Sequence, residues 1–446
     1  MSHKKLALIL HFAVVGLFAA AQNPLVTHRY TADPTARVFE GKLYIYPSTD
    51  AVPPAGIEAP AFCMPGYHVF SLENGITIKD HGRILDQNEV PWGEKDQYAM
   101  WAPDCIKKGD TYYYYFPDKA KNDQAFRRIG VGTSKSPTGP FMWEKSFIEG
   151  VSGIDPGLFL DEDGKAYLYF GGGKELFVAP LKENMKEIAA EPQKIEGLPA
   201  GYKEGSFTFK KDGVYFFTFA HVFPQEGYTI GYATSDNPFG PFQYRGKIMD
   251  NISNGTNHHS IVEYQGQWIL FYHWWDVSGY NKLRSMRADY LSFHQDGSIK
   301  KVKPTRRGIG TATLGDTLQI DRYSEKKGLA TTFVGGNEPA GWMVTDTRPQ
   351  SWVRFDRVDF KEGQAKKIHA RISCGQRTGS FEVRLNQPKG TLVAKFPVEN
   401  TGGWNEWKTI TAAIPNPPRD VHNLVVVFKS EWGLEKIVNV NWLVIE

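Results

Sequence analysis

Five times along the first two thirds of the chain, an apolar run leads into a polar turn carrying glycine and then a second apolar run. The units are VFEGKLYIY (38–46), IKKGDTYYYYF (106–116), LFLDEDGKAYLYF (158–170), FTFKKDGVYFFTF (207–219) and IVEYQGQWILFYHW (261–274). Each predicts a strand, a tight turn and a second strand rich in Tyr, Phe and β-branched residues. The turn glycines are Gly41, Gly109, Gly164, Gly213 and Gly266, so successive gaps are 68, 55, 49 and 53 residues. Antiparallel repeats of about 50 residues predict a β-propeller, here with five blades. Eight or nine residues ahead of four of those glycines stand Asp33, Asp155, Glu204 and His258. Equivalent positions of propeller blades face one central axis. Three carboxylates and a histidine, far apart in sequence, are therefore expected in one axial pocket.

A second self-similarity supports the repeat. TSKSPTGPF (133–141) and TSDNPFGPF (234–242) lie about two blades apart, and each predicts a strand end followed by a Pro-Gly turn. LSFHQDGSIKKV (291–302), a hairpin around Asp296-Gly297, is expected to close the array. The propeller is placed at 22–305 and a basic, Gly-containing linker at 306–317. The long segment 51–100 is expected to form a rim over one side of the pocket. From Leu318 the pattern changes to alternating runs, such as SWVRFDRVDF (351–360), KKIHARIS (366–373) and VNVNWLVIE (438–446). Strands with one buried face over 318–446 predict a compact β-sandwich or jelly roll. The fold class is all-β.

Composition narrows the function. At 446 residues the chain is long enough for two domains. A formal net charge of +3 with no block of like charges gives no electrostatic footprint for nucleic acid. The start MSHKK, the apolar run LALILHFAVVGLFAAA and the small residues before Gln22 predict a signal peptide over 1–21, and so a secreted or periplasmic protein. No other stretch is apolar enough to span a bilayer, and a monomer is expected. Cys63, Cys105 and Cys374 are too few and too irregular for a disulfide framework or a thiolate metal site, and are expected as buried thiols. No organic cofactor is expected.

Breaking a glycosidic bond with inversion needs a carboxylic acid to protonate the leaving oxygen and an opposing carboxylate to activate water. The acid must stay protonated near neutral pH, which burial and a neighbouring carboxylate achieve. The local contexts fit that chemistry: Asp33 in TADP, Asp155 in GIDPGLF and Glu204 in YKEGSF. Together with WAPD (101–104) and NHHSIVEY (257–264), in this order and spacing, they resemble the signature segments of glycoside hydrolase family 43 over residues 24–305. The resemblance implies Asp33 as general base, Asp155 as the carboxylate that orients the acid and raises its pKa, and Glu204 as general acid. It also implies a single displacement with inversion.

Further positions follow from the same likeness. His258 of Asn257-His258-His259-Ser260 matches an axial histidine that faces a calcium ion or its water shell. Calcium prefers oxygen ligands, so one histidine supplies only part of such a site. Trp101, in phase with Asp33, is a candidate sugar-stacking wall, and Arg284 resembles an arginine that reaches a substrate hydroxyl. His28 and Tyr30 flank the base segment as candidate pocket residues. Asp104, out of phase with the others, is read as structural. The second domain resembles carbohydrate-binding module family 6. Trp404, Trp407, Asn439 and Asn441 fall where that family places its sugar-binding aromatic and asparagine. Trp342, Trp352 and Phe355 compete for a second aromatic place, and Gln319 and Asp321 match a structural calcium region.

The two resemblances, with the rim expected over 51–100, imply an inverting, exo-acting hydrolase that releases pentose from hemicellulose, foremost an α-L-arabinofuranosidase on arabinoxylan. A β-D-xylosidase is the alternative within the family. A non-catalytic lectin is the alternative of another class, and the intact set of Asp33, Asp155 and Glu204 argues against it.

Overall fold

The hairpin glycines all adopt left-handed φ, from 61° at Gly109 to 82° at Gly164, and three follow another left-handed residue, Glu40, Asp212 or Gln265. Two successive positive-φ residues suit the twist of a tight hairpin, which is why these turns carry glycine. The structure is a computed structural model that describes residues 22–56, 62–73, 77–173, 175–252, 255–334, 341–376, 379–430 and 436–446. The signal peptide expected over 1–21 lies outside them.

Around these turns the strands form five antiparallel sheets. Blade one holds β1 (Tyr30–Phe39), β2 (Lys42–Asp50), β3 (Gly66–Glu73) and β4 (Thr77–Asp86); blade two holds β5 (Asp104–Lys108), β6 (Thr111–Asp118), β7 (Arg128–Ser134) and β8 (Met142–Trp143). Blade three holds β9 (Ile154–Leu160), β10 (Ala166–Gly172), β11 (Glu175–Pro180) and β12 (Gln193–Lys194). Blade four holds β13 (Tyr202–Lys211), β14 (Val214–Phe223), β15 (Gly227–Ser235) and β16 (Gln243–Met249). Blade five holds β17 (His259–Tyr264), β18 (Gln267–Trp274) and β19 (Ser285–Leu291). Within the segment expected as a rim, residues 66–86 pair as β3 and β4, the outer half of blade one, while Phe62 and Met64 ahead of them line the axial pocket.

Successive side chains of a strand point to opposite faces, and here both faces are buried. On β14, Tyr215, Phe217 and Phe219 pack toward blade three, while Phe216 packs toward blade five. The same division gives one apolar cluster for each neighbouring pair of blades, including blade five with blade one. Two-faced burial explains why the second strand of each repeat reads as a nearly continuous aromatic and aliphatic run.

Closure departs from the expected scheme. The Asp296-Gly297 turn forms, with Phe293 bridged to Ile299 and packed on the blade four–five core. The ring, however, is stitched by the chain ahead of β1: Leu25 N donates to Met286 O at 3.0 Å and Thr31 N to Arg284 O at 2.9 Å, both along β19. Asn23 adds side-chain hydrogen bonds with Ala288 in both directions. The fifth blade, three-stranded by itself, thus borrows its outer edge from the N-terminal segment.

The chain divides into two compact units, Ala21–Thr311 with Arg322–Glu325, and Ala312–Asp321 with Lys326–Glu446. The division falls inside the expected linker, which is not free chain. Ile309 is buried in the blade five–one core, whereas Ala312 N donates to Arg357 O in the second unit. The second unit is a β-sandwich. One sheet includes, in order, Gly341–Thr345, Asn439–Ile445, Lys367–Cys374 and Gly403–Ala413; the other includes Trp352–Asp359, Val421–Lys429, Gly379–Leu385 and Leu392–Val398. All three cysteines are free and buried. Among the described residues no helix is long and apolar enough to cross a membrane.

Candidate active site

The first strand of each blade lines the axis, and β1, β9 and β13 are each irregular where a carboxylate sits. Pairing of β1 with β2 slips between Ala32 and Thr35; that of β9 with β10 slips between Ile154 and Gly157; that of β13 with β14 slips on both sides of Glu204. A bulge bends a strand and re-aims a side chain. Asp33 and Asp155 take left-handed φ of 47° and 55° at these slips, a conformation Asp tolerates better than most residues. Close packing at the axis fixes the strands themselves. A Cβ on Gly157 would sit 2.3 Å from Ser206 O, so only glycine fits there.

The result is a cavity of about 750 Å³ lined by Asp33, Asp155, Glu204, His258, Trp101 and Arg284 among others. All three sequence-predicted carboxylates come together there. Their surroundings differ. Arg284 Nη1 lies 3.1 Å from Asp33 Oδ1. The rest of that guanidinium is held by Asp50, through Nε at 2.9 Å and Nη2 at 2.9 Å, with Phe62 stacked 4.1 Å from its carbon. Burial pushes the Asp33 carboxyl up, but the Arg284 charge outweighs it and holds Asp33 well below the usual carboxylate range. His273 Nε2 faces Thr256 O at 2.8 Å, and a carbonyl only accepts, so the proton is on Nε2. Nδ1 then accepts the Asp33 backbone N–H at 3.1 Å.

Glu204 has no such cation. Burial first, and the Asp155 charge second, push it up to about 7, against a weaker pull from His258 and Lys203. Tyr228 OH reaches its Oε1 at 3.4 Å. Asp155 Oδ2 accepts Gly205 N–H at 2.8 Å, fixing the peptide beside Glu204, and faces His258 Nδ1 at 3.7 Å. For His258 burial lowers the pKa, but the Asp155 carboxylate facing it and the other acidic groups outweigh this and raise it. One carboxyl thus favours the ionised form, and another retains its proton up to a pH of about 7, in a single cavity. That pair is what acid–base cleavage requires.

Other expectations fare differently. Trp101 lines the cavity, with the Arg127 guanidinium 4.6 Å from its ring centre. Arg284 lines it too, but its donors are committed to Asp50, Asp33 and Thr256 rather than free for a substrate hydroxyl. His28 and Tyr30 do not line the cavity. His28 is exposed and bonds Asp80 on β4, because the chain reaches Asp33 along the outer edge of blade five. Asp104 is structural: it pairs with Arg37 and accepts Leu158 N–H at 2.6 Å. Sequence reasoning missed Asp50, Phe62, Phe126, Tyr228 and His273. Only His273 had a signal, its place inside the fifth repeat.

The raised pKa of His258 beside Asp155 disfavours the neutral ring that direct metal ligation needs. The neighbouring Asn257, buried with both side-chain polar atoms unpartnered, is the better match for a water shell. Gln319 and Asp321 supply one amide and one carboxylate. Among the described residues no three His, Cys, Asp or Glu side chains cluster for a metal.

In the sandwich, Trp404 is half-buried with Lys436 Nζ 4.2 Å from its ring centre, and Trp407 is half-buried on the same edge strand. Asn441 is buried and donates to Trp342 O at 2.7 Å, bracing the neighbouring strand. Asn439 braces Trp404 O at 3.0 Å. Of the three competing aromatics, Phe355 is core, Trp352 is half-buried and Trp342 is 39 % exposed.

Comparison with known proteins agrees with this geometry. Residues 303–446 match the carbohydrate binding module (family 6). A xylosidase/arabinosidase of Humicola insolens is 36 % identical over 332 residues, covering 63 % of this chain and 99 % of that protein. An arabinoxylan arabinofuranohydrolase of Paenibacillus polymyxa is 28 % identical and covers 91 % of this chain and 71 % of its own length. A β-xylosidase/α-arabinofuranosidase from a compost metagenome, solved with xylotriose, superposes with a TM-score of 0.58 at 36 % identity, covering 64 % of this chain and 98 % of that one. Residues 21–299, which carry all three carboxylates, match glycosyl hydrolases family 43, and the chain belongs to that family of glycosidases.

Proposed function

We propose that the protein is an inverting, exo-acting pentosidase on plant hemicellulose, foremost an α-L-arabinofuranosidase on arabinoxylan. The observation that carries this is the split pair of carboxyls, Asp33 held ionised by Arg284 and Glu204 pushed up to about 7. In the proposed reaction Asp33 takes a proton from water as its oxygen attacks the anomeric carbon. The bond to the leaving oxygen breaks as Glu204 gives that oxygen its proton. The pentose leaves with inverted configuration, and proton exchange with solvent restores both groups. Asp155 acts through Glu204, by its charge and by its hold on Gly205 N–H.

Exo action is supported by Phe62 and Met64, which wall the cavity on the blade-one side. A β-D-xylosidase is the second reading, favoured by relatives such as a β-xylosidase of Xylanibacter ruminicola, 34 % identical over 319 residues. The deciding experiment offers α-L-arabinofuranosides, β-D-xylosides and intact arabinoxylan side by side and follows the first-formed anomer by NMR. Retention of configuration, or no cleavage of any of them, sinks the proposal.

Calcium is proposed only as a hydrated ion held through water near Asn257, where it supplies positive charge. Gln319 and Asp321 remain a weaker candidate in the sandwich, which is proposed to hold the enzyme on the polymer through Trp404 or Trp407. The site of action is proposed to be extracellular or periplasmic, from the sequence of residues 1–21 alone. N-terminal sequencing of exported protein should begin at Gln22.

A further inference from the structure

The loop between β6 and β7 carries the least expected feature of the cavity. Phe126 lines it, yet is 62 % exposed, a large apolar side chain left in water at the mouth. Its ring lies 5.6 Å from that of Trp101, tilted by 51°. Behind both rings sits Arg127, only 6 % exposed, with its guanidinium 4.8 Å from the Phe126 ring and 4.6 Å from the Trp101 ring.

The loop is braced at several points. Lys119 Nζ donates to Asp123 O at 2.8 Å and Ala125 O at 2.9 Å, and Arg128 pairs with Asp123 at 2.7 Å. Arg127 O accepts Gly153 N–H at 3.1 Å, which ties the loop to the segment leading into Asp155. An exposed aromatic on a mobile tip would lose ordering entropy on binding, whereas one on a braced loop is already placed.

Depth decides which sugar it meets. Asp33 and Asp155 are 6 % and 5 % exposed, so the residue being released sits at the cavity floor and the departing remainder of the glycan points toward the mouth. We infer that Phe126, with Trp101 beside it and Arg127 behind, is the stacking platform for the first sugar on the leaving-group side. Its ring would lie against the C–H face of that sugar and favour oligosaccharides over substrates with a small leaving group. The inference rests on the pentosidase reading above.

The test compares kcat/KM for a pentose oligosaccharide with kcat/KM for the corresponding methyl pentoside, whose leaving group is too small to reach the ring. Aromatic contacts of this kind correspond to roughly three- to tenfold in rate. Phe126→Ala should lower the ratio of the two constants by that factor, and Phe126→Trp should restore it. Because Phe126 is largely exposed, both variants should fold, which circular dichroism checks. An equal loss on both substrates, or no loss on either, overturns the platform. Wild-type protein that cleaves neither pentosyl substrate overturns the pentosidase reading and the platform with it, and that result is visible before any variant is made.

Discussion

The two sides of the axial cavity carry the same functional group with its pKa moved in opposite directions. On the side of blades one and five, Asp33 meets a buried guanidinium whose other donors are taken by Asp50 and Thr256. On the side of blades three and four, Glu204 meets a second carboxylate and no cation in contact. Burial alone would push both carboxyls up. One arginine reverses the outcome on one side, and one aspartate reinforces it on the other. Protonation state is therefore set by what each blade brings to its neighbour, not by the acid itself.

Removing the ionised member has the largest expected effect. Asp33→Asn should lower turnover by about 10⁴-fold whatever the leaving group, because water activation is needed in every case. Steady-state rates on aryl and natural substrates check this, and a strong leaving group that rescues Asp33→Asn would contradict it. Glu204→Gln should cost about 10²–10⁴-fold on natural substrates but far less on aryl glycosides with acidic leaving groups. A flat loss across a leaving-group series would assign Glu204 another role.

Arg284→Met attacks the source of the asymmetry. It leaves Asp33 and Asp50 buried without their cation and should destabilise the propeller by about 3–5 kcal/mol, read from urea unfolding. In whatever fraction folds, the acidic limb of kcat/KM should move to higher pH, since Asp33 loses the charge that holds it low. The smallest effect sharpens the other side. In the wild-type protein kcat/KM should fall above a pH of about 7, as Glu204 loses the proton it must donate. Asp155→Asn removes a charge that raises this pKa, so the limb should move to lower pH. The move should be partial, because burial is the larger cause and remains. A limb that stays in place would show that Asp155 acts only through Gly205.

Much of the scaffold was legible because it is local. The glycine turns, the paired apolar runs and the phase of Asp33, Asp155, Glu204 and His258 depend on neighbours in sequence, and all four residues reach the axis. His28 shows where phase fails. It stands five residues before Asp33, but the chain between them follows the edge of β19, so proximity in sequence does not become proximity to the axis. Asn441 is likewise placed by a residue distant in sequence, since its amide donates to Trp342 O on a neighbouring strand.

By itself the sequence determined the all-β class, the five repeats, the carboxylates on the innermost strands and the change of domain before Leu318, because turn chemistry and strand period are short-range. Only the tertiary structure decided how the ring closes, through residues 23–31 rather than the hairpin at 291–302. It alone brought Arg284, 251 residues away in sequence, onto Asp33 with Asp50 holding the guanidinium, and set Phe126 beside Trp101 at the cavity mouth. The physical reason is that pKa and stacking depend on distances of a few ångströms between side chains from different blades, and no local pattern in the chain encodes those distances.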